Sequence, residues 1–113
     1  NRPLILFELI KNINSRFIFY FHNDPLSMKG SKTVKERLSI LRNTEKIIFV
    51  SEWTRGRFFI DIDKKLLTKT EVVYPSVNKQ KPSKKKKIIT FVGRLNYSKG
   101  YDLFKDAILE IFI

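Results

Sequence analysis

Four short, apolar-rich runs constrain this chain more than anything else in it. They are "RFIFYF" (16–21), "KIIFVS" (46–51), "KTEVVYP" (69–75) and "KIITFVGR" (87–94). The first is continuously apolar, which over so few residues suits a strand covered on both faces, as in parallel α/β sheets. The stretches between them have helical signatures. In "GSKTVKERLSILRN", Thr33 and Glu36 form a T-x-x-E capping box, and Val34, Leu38 and Leu41 share one helical face. Ser51 is an N-cap for a short helix "EWTRGRFF", weakened by Gly56 in its middle. After the last run, Leu103, Phe104, Ala107, Ile108 and Ile111 recur at helical spacing. The order β-α-β-α-β, linker, β-α predicts an α/β fold with a parallel sheet and right-handed crossovers.

"PSVNKQKPSKKKK" interrupts this alternation with two prolines, two serines and a lysine run. It reads as a linker or exposed loop, and Lys84 to Lys87 as a solvated entrance to the fourth strand. The organisation predicted is therefore residues 1–75, a linker over 76–86, and a second region over 87–113.

Composition narrows the chemistry. With 42% hydrophobic residues in 113, a core is affordable; the net charge of +12 favours anionic partners. There is no cysteine and one histidine, His22, so disulfides are impossible and a zinc site of His and Cys is not expected. No apolar run is long enough to span a membrane. The chain starts at Asn1, has its single methionine at Met28 and stops at "ILEIFI", which reads as a piece of a longer protein.

Two motifs fail on inspection. "KGSKT" (29–33) has its residues in the wrong order for a P-loop, and Pro25 stands where an earlier glycine is needed. "NYS" (96–98) fits the glycosylation acceptor pattern, which is common by chance.

"TFVGRLNYSKGYDLF" (90–104) carries more chemistry. Gly93 stands where strand passes into loop, so backbone can approach a ligand without a Cβ in the way. Lys99 and Gly100 stand where a helix begins, and free amides with the positive end of the helix dipole favour an anion there. Arg94 can grip phosphate oxygens bidentately and Lys99 adds a point charge. From residues alone, ordinary loop cations explain the pattern equally well.

"FVGRL" with "SKGYDLFKDAI" resembles the hallmark segment of the family 4 retaining glycosyltransferases, which have two facing Rossmann-like domains (the GT-B fold). "KIIFVSEWTRGRFF" and "VVYPSVN" are similar to that family's late N-terminal strand and helix and its exit into the interdomain linker. The resemblance covers roughly residues 16 to 113. It implies that 1–75 belongs to the N-terminal, acceptor-side domain and 87–113 opens the donor-binding domain. It further implies that Gly93, Arg94, Lys99 and Gly100 bind the diphosphate of a nucleoside-diphosphate-sugar, with no metal and no other cofactor. His22 would face the cleft in a catalytic position, the alternative being a hydrogen-bonded structural histidine. Asn23 and Asp24 would bind acceptor hydroxyls, although Asn-Asp-Pro is equally a turn signature. Trp53 reads as packing rather than as a sugar platform.

The family's N-terminal glycine-rich loop and its downstream glutamate pair are absent from this sequence, so the chain alone is expected to be inactive. The parent activity would serve cell-surface polysaccharide or lipopolysaccharide synthesis. Its acceptor would be a saccharide or lipid-linked sugar, in the cytoplasm or at the anionic inner face of the membrane. Exposed sheet edges are expected to favour self-association. The rival readings are a small basic nucleic-acid-binding module and a non-catalytic truncated remnant. Against the first, the aromatics lie within apolar runs rather than alternating with cations, so no nucleic-acid partner is expected.

Overall fold

The computed structural model describes residues 2–81, 84 and 87–112. The chain divides into two compact units, Asn1–Asn78 and Lys79–Ile113, and the division falls within the stretch 76–86.

The first unit is built on three parallel strands in the order β1-β2-β3: β1 (Ile18–Phe21), β2 (Lys46–Phe49) and β3 (Thr70–Val72). The register pairs Phe21 with Phe49 and Phe49 with Val72, so the strands end together. The ladder continues past those ends: the Val50 amide donates to the Phe21 carbonyl at 3.2 Å, and Val73 to Phe49 at 2.9 Å. An α/β fold with a parallel sheet is thus present, compatible with part of a Rossmann-like domain.

Burial alternates along the strands. Phe19, Phe21, Ile47 and Phe49 are buried, while Tyr20 and Ile48 are half-buried and Ile18 is exposed. The expectation of strands covered on both faces is therefore corrected: one face is closed and the other only partly covered, with side chains obeying the period of two. On the closed face Phe21 and Phe49 stack at 5.5 Å, and Phe58 tilts against both at 5.3 Å. Leu6, Ile40, Leu41, Phe59 and Ile62 complete the same cluster.

The helices follow local signals, with one addition. Helix α1 (Pro3–Asn12) was not expected; Pro3 sits at its first position, where the missing amide costs nothing, and it buries Leu6. Helix α2 (Val34–Asn43) has the predicted capping box. Thr33 Oγ1 accepts from the Glu36 amide at 3.2 Å, and Glu36 accepts from the Thr33 amide at 2.9 Å. Its deepest positions are Arg37, Ile40 and Leu41, whereas Val34 and Leu38 are only half-buried. Buried Arg37 donates to the carbonyls of Lys32 and Ile60, both at 2.7 Å, tying α2 to the segment after α3. Helix α3 (Glu52–Phe58) starts where Ser51 accepts from the Thr54 amide at 3.1 Å.

The second unit contains a 3-10 turn (Tyr97–Lys99) and helix α4 (Tyr101–Phe112). The fourth expected strand is corrected. Residues 88–92 form no ladder, and Ile88, Ile89 and Val92 are exposed. A strand exists only through its partner's hydrogen bonds, and this unit holds one apolar run of that kind. Phe91 alone turns inward, with its ring 5.5 Å from Tyr101 and 5.1 Å from Phe104.

Candidate functional site

Two groups of residues carry chemistry, one in each unit. In the second unit, Gly93 and Lys99 are neighbours: a Cβ built on Gly93 would lie 3.8 Å from Lys99 Cβ. The loop between them is tied internally. The Asn96 amide donates to the Arg94 carbonyl at 2.8 Å, the Lys99 amide to Asn96 at 3.1 Å, and Ser98 Oγ to Asn96 Oδ1 at 3.0 Å. These bonds turn the chain so that residue 99 returns beside residue 93.

Gly100 then reverses the path with a left-handed backbone (φ 68°, ψ 27°) and hands over to α4. Its own amide already donates to the Tyr97 carbonyl at 2.9 Å, so its part in the site is conformational. The first α4 hydrogen bond runs from the Phe104 amide to the Gly100 carbonyl at 3.0 Å, and the Tyr101 amide donates back to the Asn96 carbonyl at 3.5 Å, which leaves the amides of Asp102 and Leu103 at the helix end. Arg94 and Lys99 are exposed beside that turn. Asp102, in the same turn, has a buried Oδ1 without a hydrogen-bond partner. Lys99 and the Asp102 carboxylate thus flank the positive end of the helix, with Arg94 exposed in the loop that leads to it, and the helix end can attract an anion.

The second group lies where the parallel strands of the first unit end together. His22 and Asn23 follow β1 and are exposed; the His22 ring lies 4.1 Å from the Tyr20 ring, and Tyr20 donates to the Val73 carbonyl at 3.0 Å. Asp24 caps the 3-10 turn Pro25–Ser27 by accepting from the Leu26 amide at 3.1 Å. The same carboxylate receives Arg57 in a two-point grip, Nε at 3.2 Å and a terminal nitrogen at 3.0 Å. These hydrogen bonds from Arg57 hold the Asp24 carboxyl below the usual carboxylate range, against the opposing effect of burial. The Arg57 guanidinium is shifted upward by the same pairing. Asp24 is thus committed to a turn and an ion pair, whereas Asn23 beside it is exposed.

Trp53 departs from expectation. Against the packing role the sequence suggests, 63% of it is exposed. Helix α3 points Thr54 and Phe58 inward, and a residue one step before Thr54 falls about 100° around the helix from it. Arg57, one turn on, lies over the indole at 5.7 Å. No sequence signal short of knowing which face of this short helix is buried would have separated these alternatives. Among the described residues no cluster of three or more His, Asp or Glu is placed to hold a metal, and no helix is long and apolar enough to cross a membrane.

No protein-family model matches the chain, no curated protein matches it, and no solved structure matches it.

Proposed function

We propose that this chain works in retaining glycosyl transfer from a nucleoside-diphosphate-sugar to a hydroxyl acceptor, and that the loop 93–100 holds the donor's diphosphate. One observation carries the reading: the G-R…S-K-G residues are folded so that Gly93, Lys99 and the start of α4 adjoin. In this reading Arg94 grips the phosphate oxygens, Lys99 supplies a second charge, and the Asp102 and Leu103 amides of α4 complete the cradle. Gly93 keeps the approach clear and Gly100 makes the reversal that presents the helix end. As the sugar–phosphate bond breaks, negative charge grows on the departing diphosphate. Cations and oriented amides already in place stabilise that charge without having to reorganise.

The parallel sheet of the first unit supports its assignment as the acceptor-side part of a two-domain GT-B enzyme. His22 and Asn23, at the carboxyl ends of its strands, occupy the rim where open α/β sheets bind ligands. The basic chain suits a saccharide or lipid-linked acceptor at the anionic inner face of a membrane.

Isothermal titration with UDP and with GDP tests the reading. Saturable binding to at least one, weakened tenfold or more by Arg94→Ala and by Lys99→Met, is expected. A DNA duplex that binds more tightly than either nucleotide, with affinity collapsing as salt rises, would instead favour the nucleic-acid rival.

A further inference from the structure

We propose that Trp53 is a carbohydrate-stacking platform that seats the acceptor sugar at the carboxyl ends of β1 and β2. Naming the sugar as the acceptor rests on the glycosyltransferase reading; the platform itself rests on geometry.

A large aromatic residue left mostly in water is ordinarily mobile and costs hydrophobic stability. Trp53 is exposed yet has a partner. Arg57 lies over its ring at 5.7 Å, and Arg57 is itself clamped at two points by Asp24, whose carboxylate is anchored on the Leu26 amide. Arg57 on α3, with Asp24 and Leu26 of the loop after β1, therefore lines one side of the indole.

The same chain selects the kind of ligand. The Arg57 charge is matched by Asp24 through two of its nitrogens, so the platform is close to electrically neutral. A phosphate or carboxylate ligand would have to compete with Asp24 for that guanidinium. An electron-rich indole face suits polarised C–H groups instead, and one face of a pyranose ring presents a set of them. The rim residues His22 and Asn23 are exposed and supply donors and acceptors suited to ring hydroxyls. Their loop is tied to α3 by the Asp24–Arg57 pair, and ligands of open parallel sheets bind at this edge. A neutral, polyhydroxylated ligand fits that combination.

Trp53 is the single tryptophan of the chain, so its emission reports on this site alone. The test is to titrate the full chain with the methyl pyranosides of glucose, galactose and mannose while following that emission. Saturation-transfer NMR on the sugar protons runs alongside. A saturable change with at least one sugar is expected, with transfer concentrated on the C–H protons of one ring face. Trp53→Ala should abolish transfer, Trp53→Phe should retain part of it, and Arg57→Gln should weaken binding about tenfold with the circular dichroism unchanged.

No saturable response to any pyranoside overturns the platform. So does an emission change produced by phosphatidylglycerol vesicles and not by sugars, which would make Trp53 a membrane contact. Titration with UDP separates the two readings. Nucleotide binding without a sugar response leaves the donor loop standing and removes the platform, whereas a sugar response without nucleotide binding does the reverse.

Discussion

The two units of this chain contain similar ingredients and reach different states. Both have apolar strand-like runs leading towards helices. In Asn1–Asn78 three such runs find one another as parallel strands, and Phe21, Ile40, Ile47, Phe49 and Phe58 become wholly buried. In Lys79–Ile113 a single run finds no ladder, and none of the described residues is buried; Phe91, Tyr101 and Phe104 make a small half-covered aromatic contact. Strand propensity is therefore not what differs. A sheet is a cooperative object, and a lone strand has no partner whose hydrogen bonds and side chains would hold it.

The sharpest break of this comparison is a matched pair of core truncations. Phe49→Ala should cost about 3–5 kcal/mol, because a fully buried ring leaves a cavity as well as lost burial. Phe104→Ala, half-exposed in the second unit, should cost about 1 kcal/mol or less. Urea titration followed by Trp53 emission, which reports the first unit, should move strongly for the former and hardly at all for the latter. Equal shifts would mean that the two units unfold as one.

The glycines sharpen the same contrast more gently. Gly30 and Gly100 both have left-handed backbones, with φ of 88° and 68°. A Cβ on Gly30 would meet Pro3 Cβ at 3.0 Å and the Leu4 backbone nitrogen at 3.3 Å, whereas one on Gly100 would meet nothing within 4 Å. Gly30→Ala combines backbone strain with a clash against α1 and should destabilise by about 2 kcal/mol or more. Gly100→Ala carries the strain alone, about 1 kcal/mol, and should show as lost α4 helicity by circular dichroism.

Acid should act mainly on the first unit. Asp24 is held low by hydrogen bonds from Arg57, and Glu36 by the Thr33 amide in the capping box. Both carboxyls have folded-state values below their unfolded ones, so their stabilisation is complete above the unfolded range near 4 and fades as pH falls through the folded values. Asp24→Asn should lower the first unit's urea midpoint at pH 7 and flatten its decline below about pH 4. An unchanged acid profile would show that the ion pair contributes little to folding.

What was legible in the sequence was local. The Thr33–Glu36 box and the Ser51 cap each depend on residues a few positions apart, and each appears in place. What escaped depends on distant partners. The Asp24–Arg57 pair joins residues 33 positions apart, and Arg37 reaches the Ile60 carbonyl across 23. Neither bond has a local signature in the sequence. The exposure of Trp53 depends on which side of a seven-residue helix meets the sheet, a choice too short a periodicity cannot specify. The fourth apolar run misled for the opposite reason. Its local pattern is strand-like, and among the described residues no strand pairs with it.

The donor loop is tested most directly by amide chemical shifts. UDP and GDP should be titrated into isotopically labelled chain, once at low and once at high salt. The account predicts saturable shifts confined to Gly93, Arg94 and residues 99–103, lost in Arg94→Ala and persisting at high salt. Shifts spread along the lysine-rich stretch 79–87 that vanish with salt, and silent amides at 93, 102 and 103, would contradict it.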